Sequence, residues 1–371
     1  MKDKKKSYSR QKHRLAIIDL ILSPAILFIF IALDVPTQFK NICMTISLNN
    51  YINLLVFSII MGAAYMWAKF PTTIYSGFLL EHKFSLSNQT FKAWLLMEFK
   101  KTLVSFVIGI PIIFSLYAFI KHFPINWWLF TAILWFFLSI IIAKVAPVLI
   151  VPLFYKYSPI KNIRLKEKLT KLASSVGFKA QGVYELNLSK DTKKANAALV
   201  GLGKQKRIVL CDTLLESFTE DEIEVVMGHE LGHHKLKHIL KEMLLGGIFT
   251  LLTLFITNML FLKLHPVFDL ALLYDFDALI LVYAIISIIN IPILVLNNAY
   301  SRKLEKQADR FALELTNKKA AFISTMKKLA EQNLADLTPG KFYKIILYSH
   351  PPISERIAFG ESFKGIPKKD R

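Results

Sequence analysis

TEDEIEVVMGHELGHHKLKHILKEMLLGGIFTLLTLFITNMLFL, residues 219–262, joins a helix that carries chemistry to a helix fit for a membrane. Thr219, with Glu222 three residues on, has the form of a capping box, Thr219 at the N-cap. Glu220, Asp221 and Glu222 fill the first turn, where the helix dipole favours acidic groups. Ile223, Val226 and Leu231 keep roughly helical spacing. Gly228-His229-Glu230-Leu231-Gly232-His233-His234 is therefore predicted to be helical, and His229 and His233, at i and i+4, share one face. Two imidazoles so placed suit one Zn²⁺. Glu230 is adjacent and fit to take a proton from water at that ion. A His-rich polar helix face would show the same short pattern, but the cap and the neighbouring span argue against it. His234 is turned about 100° from His233 around the helix, and neither it nor His238 is read as a ligand.

From residue 243 the stretch turns apolar for about 20 residues, the length that crosses a hydrocarbon core about 30 Å thick. Working outward, five more segments qualify. The six lie near 15–34, 52–70, 102–120, 127–151, 243–262 and 278–298. The fourth carries Lys144 and Pro147, with Pro152 just beyond, and is expected to kink or to run past the bilayer. No small-residue cleavage site follows the first, so it does not read as a removed signal peptide. Composition agrees with a membrane protein. Of 371 residues 54% are hydrophobic and only 20% charged, which excludes a disordered chain and a simple water-soluble enzyme.

The net charge of +20 has the same explanation. Lys and Arg crowd alternate loops: 1–14, 71–101, 152–242 and everything after 299. Between them, 35–51 holds only Lys40, 121–126 only Lys121, and 263–277 sets Lys263 against Asp269, Asp275 and Asp277. The positive-inside rule then places both termini and 152–242 in the cytoplasm. No recognition module accompanies the charge, so no nucleic-acid partner is expected. Cys43 and Cys211 form no CxxC pair and give neither a disulfide framework nor a thiolate zinc site. Cys43, in the outer loop 35–51, is the expected target of an impermeant thiol reagent, with Cys211 as its internal control.

This organisation divides the chain into a four-span region 1–152, a soluble part 153–242, a two-span hairpin 243–298 and a second soluble part 299–371. Strands are expected near 195–200 and 206–211, joined by a hairpin turn at Gly201-Leu202-Gly203-Lys204. A catalytic zinc needs a third protein ligand. No third His follows at a suitable spacing. Ser301-Arg302-Lys303-Leu304-Glu305-Lys306-Gln307-Ala308-Asp309 offers Glu305 and Asp309 on one helical face. Glu305 would bind the ion, and Asp309 would hydrogen-bond a ligand imidazole and fix its tautomer.

The chain resembles the type I CAAX prenyl proteases, integral-membrane zinc metalloendopeptidases related to the HtpX group. The resemblance is carried by Asn196-Ala197, Arg207-Ile208-Val209-Leu210, Asp212-Thr213-Leu214-Leu215, the His229–His234 motif, Glu305-Lys306-Gln307-Ala308-Asp309, and Ser349-His350-Pro351-Pro352 with Glu355-Arg356. It covers about residues 50–360. The family's eukaryotic members have seven spans against the six counted here, and Ala195 stands where Ser is familiar.

The resemblance implies a mainly α fold: a polytopic helical membrane protein of about six spans, with a cytoplasmic gluzincin-like zinc metallopeptidase domain containing a small β-sheet. It implies one Zn²⁺ per chain on His229, His233 and Glu305, with Glu230 as base. Asn196 would hold substrate backbone, and His350 would donate to the developing oxyanion. Arg356 would anchor the site by pairing with a carboxylate such as Asp309. It also implies a chamber enclosed by the spans. The partners expected are a peptide or protein substrate, prenylated in CAAX processing, and the lipid bilayer, with no obligatory protein partner. An HtpX-like quality-control protease without a prenyl requirement is the alternative.

Overall fold

The computed structural model describes residues 2–201, 206–268, 270 and 275–365. Among these described residues, six helical stretches are long and apolar enough to cross a bilayer: Asp3–Ala32, Asn50–Lys83, Phe91–His122, Trp127–Leu153, His238–Phe268 and Phe276–Thr316. They contain five of the six segments expected from hydropathy and most overrun them; the first stops at Ala32, two residues short of the expected end at 34, where Asp34 turns left-handed with φ 54°. The apolar run sets what can sit in lipid, whereas nothing ends a helix at the interface when Lys, Arg and Gln, all good helix formers, continue it.

Helix α1 (Lys2–Ala32) is followed by a short α2 (Val35–Met44) inside what reads as the outer loop 35–51. Helix α3 (Asn50–Ile74), capped by Asn49, passes through a π-helical turn into α4 (Leu80–Lys83). Then come α5 (Phe91–His122), capped by Thr90, and α6 (Trp127–Val145). Beyond α6 the chain changes to π-helical geometry at Ala146–Ile150, where Pro147 sits, and to a 3₁₀ turn at Val151–Leu153 around Pro152. The expected kink thus takes the form of a change in helix type at two residues lacking an N–H.

The spans pack around Leu54, Phe57, Met61, Tyr117, Ile120, Trp127, Leu279 and Leu281. Trp127 Nε1 donates to Asn258 Oδ1 at 2.7 Å, satisfying both polar groups where water is scarce. Phe99, Val107, Phe137, Ile248 and Leu296 are exposed, an apolar surface suited to lipid and not to water. Two cavities of about 410 and 400 Å³ lie among the spans and share Tyr283, Ile286 and Asn290.

A four-stranded sheet lies outside the spans: β1 (Tyr157–Pro159), β2 (Gly182–Leu186), β3 (Ala197–Val200) and β4 (Arg207–Cys211), in the order β1-β2-β4-β3. Strands β2 and β4 run parallel, while β3 is an antiparallel edge strand, Ala197 opposite Leu210 and Val200 opposite Arg207. The expected strands are present. Gly201 takes φ +86°, open to glycine without a Cβ penalty, but the rest of the expected turn, 202–204, lies outside the described residues. Helices α7 (Ile163–Ser175), α8 (Asp212–Ser217) and α9 (Glu220–Lys235) cover the sheet. Leu169, Phe178, Ile208, Leu210, Leu214, Met227 and Leu231 form their core.

Helix α10 (His238–Leu264) returns the chain through the spans and α11 (Phe276–Thr316) brings it back. At 1.5 Å per residue, the 41 residues of α11 reach about 60 Å, twice the hydrocarbon thickness. Its second half therefore stands clear of the bilayer and packs on α9. Helices α12 (Lys319–Gln332), α13 (Lys341–Leu347) and α14 (Ile353–Ser362) complete this layer. The sheet is tied to the first spans by strand-like contacts, Lys193 N to Leu86 O and Asn88 N to Asp191 O, both 3.0 Å. Beside them the buried Glu81 accepts from Lys12 at 2.6 Å, Tyr8 at 2.7 Å and Lys194 at 2.8 Å, an ionic knot joining α1, α4 and the segment before Asn196.

Candidate metal centre and active site

The capping box is complete. Thr219 N donates to Glu222 Oε2 at 2.7 Å, and Glu222 N to Thr219 Oγ1 at 3.4 Å. Helix α9 then packs on α11 with small residues at the seam. A Cβ on Gly228 would meet Ala312 Cα at 3.3 Å and one on Gly232 would meet Ala308 Cα at 3.1 Å. This close approach carries His229 and His233 onto Glu305.

The three donor atoms converge. His229 Nε2 and His233 Nε2 are 3.1 Å apart, and each lies 3.2 Å from an oxygen of Glu305. Two ligands about 2.05 Å from one ion at a tetrahedral angle stand about 3.3 Å apart. Glu305 Oε2 is buried and has no hydrogen-bond partner, although His229 Nε2 lies 3.2 Å away. A buried carboxylate with one oxygen lacking a donor and each oxygen beside one of two ring nitrogens that face each other is an arrangement that a cation satisfies. Two His and one Glu also form the donor set of catalytic zinc sites, so the residues fit that ion.

The remaining ring nitrogens are held from behind. His229 Nδ1 is 2.9 Å from Asp309 Oδ1. Asp309, almost fully buried, is gripped by Arg356 through two bonds, Nε to Oδ2 at 2.8 Å and Nη2 to Oδ1 at 2.5 Å. Burial works against the guanidinium charge, and Asp309 outweighs it, so the Arg356 pKa is raised. Glu230 stands next to His229 on α9, and burial raises its carboxyl above the usual range. His350 Nε2 lies 3.3 Å from Glu305 Oε1; its side chain is 57% exposed, and partial desolvation against the cluster lowers its pKa. Its loop is strapped to α11: Asn298 Nδ2 donates to Ile346 O at 2.6 Å and Arg302 Nη1 to Tyr348 O at 2.5 Å.

Asn196 stands immediately before the edge strand β3, which lies against α9. Its carbonyl accepts from Cys211 N at 3.0 Å, and its Oδ1 turns to Ala197 N at 2.9 Å. The structure thus brings His229, Glu230, His233, Glu305, Asp309, His350 and Arg356 to one cluster, with Asn196 on the neighbouring strand.

His234 points away, its Nε2 3.4 Å from Lys206 Nζ and its ring edge-on to Phe178. The sequence gives neither His234 nor His238 a ligand role, yet the two differ in the fold. His238 is fully buried, with Nδ1 3.1 Å from His233 Nδ1 and Nε2 3.1 Å from Gln307 Oε1. Only the turn between α9 and α10, with Lys237 at φ 57°, swings it back, and the spacing of the histidines carries no sign of that.

This fold and site define a membrane-embedded metalloprotease of several spans. Residues 159–362 match peptidase family M48, and residues 2–156 match the CAAX prenyl protease N-terminal family, described as five membrane helices. The chain belongs to peptidase family M48. It is 32% identical over 300 residues to the uncharacterized metalloprotease YhfN of Bacillus subtilis, covering 79% of this chain and 70% of that protein. It is 27% identical to CAAX prenyl protease 1 of Saccharomyces cerevisiae, covering 95% of this chain and 84% of the yeast protein. The crystal structure of S. mikatae Ste24p superposes with a TM-score of 0.86 at 26% identity, over 97% of this chain and 88% of that one.

Proposed function

We propose that this protein is a zinc metalloendopeptidase that cleaves membrane-associated peptides of the CAAX prenyl protease class. The observation that carries the reading is the convergence of His229, His233 and Glu305 at tetrahedral-ligand spacing, with Glu230 beside them. One Zn²⁺ held by these three would supply a Lewis acid for the scissile carbonyl and acidify water at neutral pH. The chain's own groups do the rest. Glu230 takes the proton from the attacking water and gives it to the leaving amine. His350 donates to the oxygen on which negative charge develops. Asp309, fixed by Arg356, keeps the proton of His229 on Nδ1 and so leaves Nε2 for the ion. An extended substrate adds to the free edge of β3, with Asn196 holding its backbone.

The two soluble parts act as one cytoplasmic domain, 153–242 with 299–371, on the four-span region and the two-span hairpin. The even number of spans between Lys235 and Glu305 supports this, because an odd number would put the ligands on opposite faces. Prenylated substrate is the finer part of the proposal. Purified protein is to be compared on a farnesylated C-a-a-X peptide, its unprenylated form and a casein-type chain, with Glu230→Ala as control. Preference for the farnesylated peptide is expected. Equal turnover of all three would replace it with an HtpX-like quality-control role, and activity surviving Glu230→Ala would remove the proposed base.

A further inference from the structure

His233 Nε2 looks into the donor cluster, 3.1 Å from His229 Nε2 and 3.2 Å from Glu305 Oε1. On the reading that His233 binds zinc, that nitrogen must offer a lone pair, so the ring proton resides on Nδ1. That proton needs an acceptor, and the group opposite is the Nδ1 of His238 at 3.1 Å. Two imidazole nitrogens at this distance share one proton: one donates and the other accepts. His238 must therefore be neutral with its own proton on Nε2, and Nε2 faces the Oε1 of Gln307 at 3.1 Å. Every atom in the row has one compatible role. The His238 ring has no exposed surface, so water cannot substitute for either partner.

We infer that His238, oriented by Gln307, is a positioning residue that fixes the tautomer and ring angle of His233, as Asp309 with Arg356 does for His229. The two supports differ in charge. His229 leans on a carboxylate, which makes its ring more electron-rich, whereas His233 leans on a neutral imidazole backed by a neutral amide. The pair of ligands is thus asymmetric in basicity. Because Gln307 lies on α11 between Glu305 and Asp309, one helix supplies the third donor and both lines of support.

The test separates this role from packing. His238→Asn places an amide oxygen where Nδ1 accepts, whereas His238→Gln places its polar group near Nε2 and leaves His233 Nδ1–H without a partner. Zinc affinity of the purified full-length protein is measured by competition with a chelator, and melting of the metal-free protein is followed in parallel. The expected result is a loss of about 10–100-fold for His238→Gln, the range for groups that orient metal ligands, and near wild-type affinity for His238→Asn. Gln307→Leu should fall between them. If His238→Gln does not fold, selective ¹⁵N-histidine spectra of the zinc-loaded wild type decide, with His238 expected to be protonated on Nε2. Wild-type affinity in His238→Gln, equal loss in both His238 variants, or a proton on His238 Nδ1 would overturn the inference. Absence of zinc binding by the wild type would instead overturn the underlying zinc reading.

Discussion

Replacing Gly232 by Ala adds one carbon at the tightest point between α9 and α11. The new Cβ would meet Ala308 Cα at 3.1 Å, Phe311 Cβ at 3.2 Å and Ala308 O at 3.3 Å. Carbon pairs settle at about 3.5 Å or more, so the helices must part by about 0.4 Å. Two of these neighbours are backbone atoms that cannot rotate away. The intrinsic gain of Ala over Gly within a helix, about 1 kcal/mol, is set against an overpacking cost of about 1–3 kcal/mol, leaving a net loss of about 1 kcal/mol. The effect on the metal centre should be larger than that figure suggests. His233 is the next residue on α9, and Glu305 stands three before Ala308 on α11, so the same 0.4 Å separates proposed ligands. Metal sites tolerate about 0.2 Å. Zinc affinity measured by chelator competition should fall about tenfold or more, with a small drop in melting temperature. Gly109→Ala on α5 is the control, because its Cβ would meet nothing within 4 Å. It receives the same helical gain without the clash. Gly232→Ala with wild-type zinc affinity would refute the argument that this seam sets the ligand spacing.

Three further outcomes are expected. Glu230→Gln should retain zinc by elemental analysis and lose about 10²–10⁴-fold in turnover, since Gln fills the space but accepts no proton; turnover intact with zinc bound would exclude the acid–base role. For sidedness, Cys43 is an unsuitable probe because it is fully buried, so Leu48→Cys, fully exposed beyond α2, takes its place, with Ile163→Cys at the start of α7 as the internal position. An impermeant thiol reagent on intact cells should label the first and spare the second, and the reverse pattern would invert the proposed topology. Hydrogen bonds from Lys318 and Lys168 hold the Asp221 carboxyl down from 3.8 to about 2. A lowered carboxylate pKa stabilises above the unfolded value and loses that contribution as pH falls from about 4 through about 2. The melting difference between wild type and Asp221→Asn should therefore be small but measurable at pH 6, shrink as pH falls from about 4 through about 2, and vanish only below that; a difference independent of pH would assign it to packing.

Local signals were legible wherever their range is a few residues. The six apolar runs, the Thr219–Glu222 cap, the placement of His229 and His233 on one face, and strands β3 and β4 all depend on neighbours within a turn or a pleat. Glu305 and Asp309 were also legible as a pair on one face. The sequence also assigned Glu305 to the ion and Asp309 to a ligand imidazole, but the distances behind those roles exist only because α11 docks on α9. The seam of Gly228 and Gly232 against Ala308 and Ala312 fixes that docking, and small residues at such spacing occur on many helices that never meet. The same holds for His238, which a left-handed Lys237 turns toward His233, and for Cys43, which α2 folds into the core between α3 and α11. Hydropathy and helical period determine each element by itself. The meeting of elements far apart in sequence is decided by shape complementarity at contact, which no window along the chain contains.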